Sequence, residues 1–132
     1  MNKQFVNPSN LFTPTGYTHS VTVEGAGKLV FISGQVARDR DGRLIKGDLP
    51  AQARQASRNL VTVLAAAGAS PADVVKLTTY VAGMKPEDRG TILAIRNEFF
   101  DAARLPASTL IGVAGLAEAG MLVEIEAIAV VK

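Results

Sequence analysis

From His19 onward, apolar and polar positions alternate, with Val21 and Val23 on one face and Ser20, Thr22 and Glu24 on the other. A period of two marks a half-buried strand. The alternation gives way to a continuous apolar run, Leu29-Val30-Phe31-Ile32, with Ala26-Gly27-Lys28 as the turn between. Two such segments around a Gly-containing turn predict a hairpin. Asp39-Arg40-Asp41-Gly42 is a second turn, and its Asp-Gly pair is the strongest local hairpin signal in the chain. The period then lengthens. Ala53, Ala56, Leu60, Val63, Leu64 and Ala67 recur at helical spacing, with Asp48 placed to cap the start and Gly68 to end the helix. Ser70-Pro71-Ala72-Asp73 has the form of a capping box with proline at its first position, which predicts a single turn. Val74 to Val81 is rich in β-branched residues and contains Tyr80, so it reads as a strand. Pro86 opens a second helix whose inner face is Ile92, Ile95, Phe99 and Ala102, and Pro106 stops it. Thr109 to Ala114 and Met121 to Val131 are the last strands, separated by a Gly115–Gly120 loop. Residues 1–16 hold Pro8, Pro14 and Gly16 and read as an extended arm.

No linker or repeat divides the chain, so residues 1–132 form a single domain. Two helices are too few to cover both faces of a five- or six-stranded sheet, which places both on one face of an α+β fold. The last strand shows what the other face meets. Its odd positions, Met121, Val123, Ile125, Ala127, Ala129 and Val131, are all apolar; its even positions, Leu122, Glu124, Glu126, Ile128 and Val130, are mostly so. A strand apolar on both sides, in a sheet covered on one, implies a closed homo-oligomer whose subunits cover the open face.

Composition narrows the chemistry. The chain has 132 residues, 48% of them apolar, and no cysteine. Disulfides, thiolate nucleophiles, iron–sulfur clusters and Cys-type zinc sites are therefore excluded. A single histidine, His19, rules out a multi-His metal site within one subunit. The 14 Lys and Arg against 12 Asp and Glu leave a net charge of +2, spread along the chain. That is not the basic stripe that nucleic-acid binding demands. No apolar run reaches the ~18 residues of a membrane span, and Met1 to Pro14 lacks a signal-peptide stretch, which points to a cytoplasmic protein.

The candidate chemistry is sparse. Glu124 and Glu126 share one face of the last strand, about 7 Å apart by strand rise. A carboxylate among Val and Ile is costly to bury without a partner. Either these glutamates reach a sheet edge or pair with an arginine of a neighbouring subunit, or one is a general acid/base with a tuned pKa. Ser33-Gly34-Gln35 follows a buried strand, where the glycine admits a ligand close to the backbone or simply ends the strand. Tyr17 is either a site residue or an ordinary half-buried ring. The mixed charges of Arg38 to Arg43 favour a solvated hairpin over a phosphate patch, and Gly25-Ala26-Gly27 lacks the dinucleotide-binding form.

From Gly16 to Val131 the chain resembles the Rid family, the RidA/YjgF reactive-intermediate (imine/enamine) deaminases. The resemblance is carried by Gly16-Tyr17, Val30-Phe31-Ile32-Ser33-Gly34-Gln35, Gly47-Asp48, Leu64-Ala65-Ala66-Ala67-Gly68 and Asp73-Val74-Val75-Lys76. It continues through Asn97-Glu98-Phe99-Phe100, Pro106-Ala107-Ser108 and the closing Val123-Glu124-Ile125-Glu126-Ala127-Ile128-Ala129-Val130 block. It implies a chorismate-mutase-like subunit with a mixed six-stranded sheet and two helices on one face. Three such subunits would form a barrel-like homotrimer with clefts between neighbours. It also implies hydrolysis of enamine or imine intermediates such as 2-aminoacrylate, without metal or cofactor. Glu124 matches the family's acidic site residue. Tyr17, Ser33 and Gly34 match cleft-lining positions, and the backbone at Leu110 matches a strand residue that contacts the ligand.

The chain departs from the family at one position. In deaminases of this family the strand after the proline reads Pro-Ala-Arg, and that arginine grips the substrate carboxylate; here the position is Ser108. A serine hydroxyl supplies one neutral donor in place of a bidentate, charge-assisted pair. An asparagine common in the second-helix motif is Leu93. The expected activity is thus hydrolysis of an imine or enamine without the usual arginine clamp, with Arg96 or Arg104 as nearby substitutes. The alternatives are a non-catalytic trimer that binds a small metabolite or a partner, and an endoribonuclease. The last is disfavoured by one histidine and few aromatics for base stacking.

Overall fold

The chain's computed structural model describes residues 1–25 and 27–132. In chain order the elements are β1 (Asn2–Val6), β2 (Ser20–Glu24), β3 (Lys28–Gln35), α1 (Leu49–Ala66), a 3-10 turn (Pro71–Asp73), β4 (Val74–Ala82), α2 (Asp88–Arg96), β5 (Ala107–Val113) and β6 (Val123–Val131). The α+β class is as the hydrophobic pattern predicts. The expected single six-stranded sheet is not: the strands divide into a four-stranded sheet of order β3-β6-β4-β5 and a two-stranded ribbon β1-β2. The two are joined by one parallel bridge, Thr18↔Ala107. There the Thr18 N–H donates to the Pro106 carbonyl at 3.2 Å and its hydroxyl to the Leu105 carbonyl at 2.8 Å.

The hairpin expected between β2 and β3 is also absent. The half-polar β2 pairs antiparallel with β1, so residues 2–6 of the expected arm are a strand, while β3 pairs antiparallel with β6. Ala26, in the expected turn, lies outside the described residues. The difference follows from burial. The continuous apolar run of β3 gains most beside the equally apolar β6 in the main sheet, whereas the alternating β2 needs only one covered face. The Asp41-Gly42 turn forms with Gly42 at φ +81, but it closes one antiparallel bridge, Arg38↔Leu44, rather than a hairpin of strands.

α1 begins where Asp48 accepts the Ala51 N–H at 3.0 Å, and Gly68 follows it in the left-handed region at φ +73. Its apolar stripe, Ala53, Ala56, Leu60 and Leu64, is buried against Val74, Leu77, Val81, Val123, Ala127 and Ala129 of the sheet, with Ile92 and Ile95 of α2 alongside. Both helices therefore cover one face, and the odd positions of β6 point into that core. The second helix is shorter than predicted. It ends at Arg96, whose carbonyl takes the N–H groups of both Phe99 and Phe100. That tightened exit puts Phe100 inside at 7% exposure and leaves Ala102, expected inside, on the surface. Two polar side chains hold the loops around this core. The Gln52 amide donates to the Gly120 carbonyl at 2.8 Å and accepts the Leu122 N–H at 2.9 Å, which fixes the start of β6. Asn59, half-buried, donates to the carbonyls of Val36 and Arg38 and so satisfies the backbone there.

Candidate functional site

Glu124 lies on the uncovered face of the four-stranded sheet. β6 is an interior strand, so its glutamates do not reach a sheet edge. Glu124 stands opposite Tyr80 across β4, and Glu126 opposite Thr78. The two carboxylates are treated differently. Glu126 accepts a hydrogen bond from the Tyr80 hydroxyl, and that bond holds the Tyr80 phenol above its ordinary pKa. Glu124 has no hydrogen-bond or ion-pair partner among the described residues. Its side chain lies over β3 where the ladder with β6 is interrupted between Ile32 and Gln35. A Cβ added to Gly34 would stand 1.8 Å from Glu124 Oε1 and 2.8 Å from its Cγ. Only glycine admits the carboxylate there, which gives the Ser33-Gly34-Gln35 motif its physical sense. Ser33, in the same interruption, is exposed on this face and lines a depression of about 410 Å³ with Phe31, Thr78 and Glu126.

Ser108 and Leu110 lie on the other face. Their register partners on β4 are Leu77 and Thr79, both buried under the helices. The Ser108 hydroxyl accepts a hydrogen bond from Arg96 Nη1 at 2.7 Å, and Arg96 Nη2 donates to the Gly16 carbonyl. Gly16 has φ +83, and a Cβ there would stand 2.6 Å from Leu93 Cδ2. The tight turn before Tyr17 therefore packs directly on α2. Tyr17, Ser108, Leu110 and Arg96 line one cavity of about 110 Å³, with Arg89 at its mouth donating to the Thr15 carbonyl at 3.3 Å. Arg96 is only 7% exposed. Burial first, and the Arg89 charge second, pull its guanidinium below the ordinary pKa. Of the two substitutes considered for the missing β5 arginine, Arg96 stands at Ser108. Arg104 lies elsewhere, in a surface depression with Lys3 and Asp73.

The six predicted site residues thus gather in two groups on opposite sides of one sheet: Glu124, Ser33 and Gly34 on the open side, and Tyr17, Ser108 and Leu110 under the helices. Sequence reasoning missed Tyr80 and Arg89. Tyr80 is visible only through cross-strand register. The seven-residue spacing of Arg89 and Arg96, which puts them on one helix face, was the available signal for the second. Among the described residues, no group of three or more His, Asp or Glu could hold a metal ion, and no helix is long and apolar enough to cross a membrane.

The family described as Endoribonuclease L-PSP matches residues 9–131. This chain belongs to the Rid/YjgF family. It is 35% identical over 129 residues to a RutC family protein of Pyrococcus horikoshii, covering 96% of this chain and 97% of that one. It is 41% identical over 115 residues to the 2-iminobutanoate/2-iminopropanoate deaminase of Mus musculus, covering 86% and 80%. Among solved structures it matches a Rid family protein of unknown function, YyfB from Yersinia pestis, with a TM-score of 0.90 and 42% identity over 98% of each chain. For this Rid/YjgF protein, Gly34→Ala is an informative variant. The clash it creates falls on the Glu124 side chain rather than on backbone, so the carboxylate should swing away while the fold persists. Thermal melts within about 1 kcal/mol of the parent are the expected result.

Proposed function

We propose that this Rid/YjgF protein is a hydrolytic deaminase of a reactive imine or enamine, working without an arginine on β5. The observation that carries the reading is the Glu124 carboxylate, which no side chain among the described residues neutralises and which rests over the Gly34 backbone. The name of the mouse relative supports it. An enamine first takes a proton on carbon and gives one up from nitrogen to become an imine. Water then adds through its oxygen to the imine carbon, and Glu124 accepts the proton that water loses. Glu124 returns that proton to nitrogen, giving a carbinolamine; it then takes the hydroxyl proton and passes it to the same nitrogen as the C–N bond breaks, so ammonia leaves and a carbonyl product remains. The scheme calls for no metal or cofactor. The test is to generate several imines enzymatically and follow ammonia or semicarbazone formation; no acceleration over buffer with any of them overturns the reading.

The working unit in this proposal is a homotrimer in the cytoplasm, with a cleft between each pair of subunits. Within one subunit the sheet itself separates Glu124 from the Arg96 cavity, and a neighbour's surface is the simplest route to one site containing both. The open face supports the same reading: Phe31 is 74% exposed and Leu29 60%. Covering one such aromatic contributes roughly 1.5–3 kcal/mol. Sedimentation velocity should therefore give three times the chain mass. Phe31→Asp should shift it to one chain and remove turnover, and a parent protein that sediments as a single chain would sink the trimer.

A further inference from the structure

The cavity beneath Ser108 holds two positive charges and no negative one. Among the described residues none of its lining side chains is acidic, and neither Arg89 nor Arg96 takes part in an ion pair. Arg96 is buried, its acceptors are a neutral hydroxyl and a neutral carbonyl, and its Nε is buried with no partner. A guanidinium withdrawn from water without a counter-charge is a costly arrangement, tolerated where an anion arrives to complete it. The Ser108 hydroxyl, having accepted from Arg96, keeps its own proton free to donate.

The rest of α2 shows the shape of that anion. Arg89, Ile92, Leu93 and Arg96 stand at i, i+3, i+4 and i+7, which is one face of a helix. Along about 10 Å of axis the face reads cation, apolar, apolar, cation. All four line the cavity, with Arg96 at its buried end and Arg89 exposed at its mouth. At about 110 Å³ the cavity takes one charged group and leaves the remainder of a ligand along the helix toward Arg89.

We propose that this face of α2 binds a small dicarboxylate. One carboxylate meets Arg96 and Ser108, an apolar middle lies on Ile92 and Leu93, and the second carboxylate meets Arg89 at the rim. Calling that ligand the substrate, a dicarboxylic imine or enamine, rests on the deaminase reading; the binding claim does not.

Titration calorimetry of the full chain at low salt, with glutarate and butyrate as probes, tests the claim. Glutarate should bind roughly threefold to fivefold more tightly, the scale of an exposed charge pair. Arg89→Gln should collapse that difference, and Arg96→Met should weaken glutarate by about tenfold or more. Equal binding of the two probes, or a difference that survives Arg89→Gln, overturns the proposal. Because Arg89 is exposed, its arm stands even if Arg96→Met fails to fold. Glutarate selectivity in a protein that releases ammonia from no imine would sustain the subsite and remove the deaminase reading. Equal ammonia release from mono- and dicarboxylic imines would sustain the deaminase reading and remove the claim that the dicarboxylate is its substrate.

Discussion

Glu124→Gln is expected to cut ammonia release by about a hundredfold or more, the usual contribution of a positioned general acid/base. Gln keeps the volume and one acceptor oxygen but cannot take a proton from water or return one to nitrogen. It should also remain over Gly34, since the space there is set by the glycine backbone and not by the carboxylate charge. Ligand binding should accordingly persist while turnover falls, so the loss appears in kcat. Retained turnover would place the proton transfers elsewhere, with Glu126 the nearest other carboxylate on that face, already engaged by Tyr80. If the parent protein also shows binding without turnover, the chain is a metabolite-binding module.

The largest stability effect is expected at Leu60. Its side chain is 1% exposed and sits where α1 meets the sheet, among Ala56, Leu64 and the apolar positions of β4 and β6. Leu60→Ala removes the buried methyl groups and leaves a void between two rigid layers, which cannot close fully. The cost is about 2–5 kcal/mol. For a domain of this size the corresponding drop in Tm is roughly 10 °C. Turnover at low temperature should be retained, because Leu60 lines neither the depression beside Glu126 nor the cavity beneath Ser108. A Tm within about two degrees of the parent would mean that α1 repacks on the sheet, and the layer description would need revision.

Glu124 illustrates how much of the site was legible before the fold was known. Side chains alternate strictly along a strand, so its position among Val123, Ile125 and Ala127 already placed it opposite the core-facing set, and it lies there. Asp48 and Gly68 were legible for a similar reason, since a cap is decided within one turn of helix. The partner of β2 was not. Its alternation is satisfied by any strand that covers one face, and the choice of β1 over β3 depended on β6, about a hundred residues away. Ala102 was misplaced because helical periodicity was carried beyond Arg96, where bonds to the Arg96 carbonyl end the helix.

By itself the sequence determined the α+β class, every element but β1 and most of their limits, most of the core-facing positions and the two glutamates of the open face. These follow from periods and caps that act over a few residues. Only the tertiary structure decided the division into a four-stranded sheet and a ribbon, the contact of Glu124 with Gly34, and the placing of Arg96 behind Ser108 in a cavity without a counter-charge. Each joins segments distant along the chain. Which distant segments meet is set by competition for buried area across the whole chain, and no local pattern records its outcome.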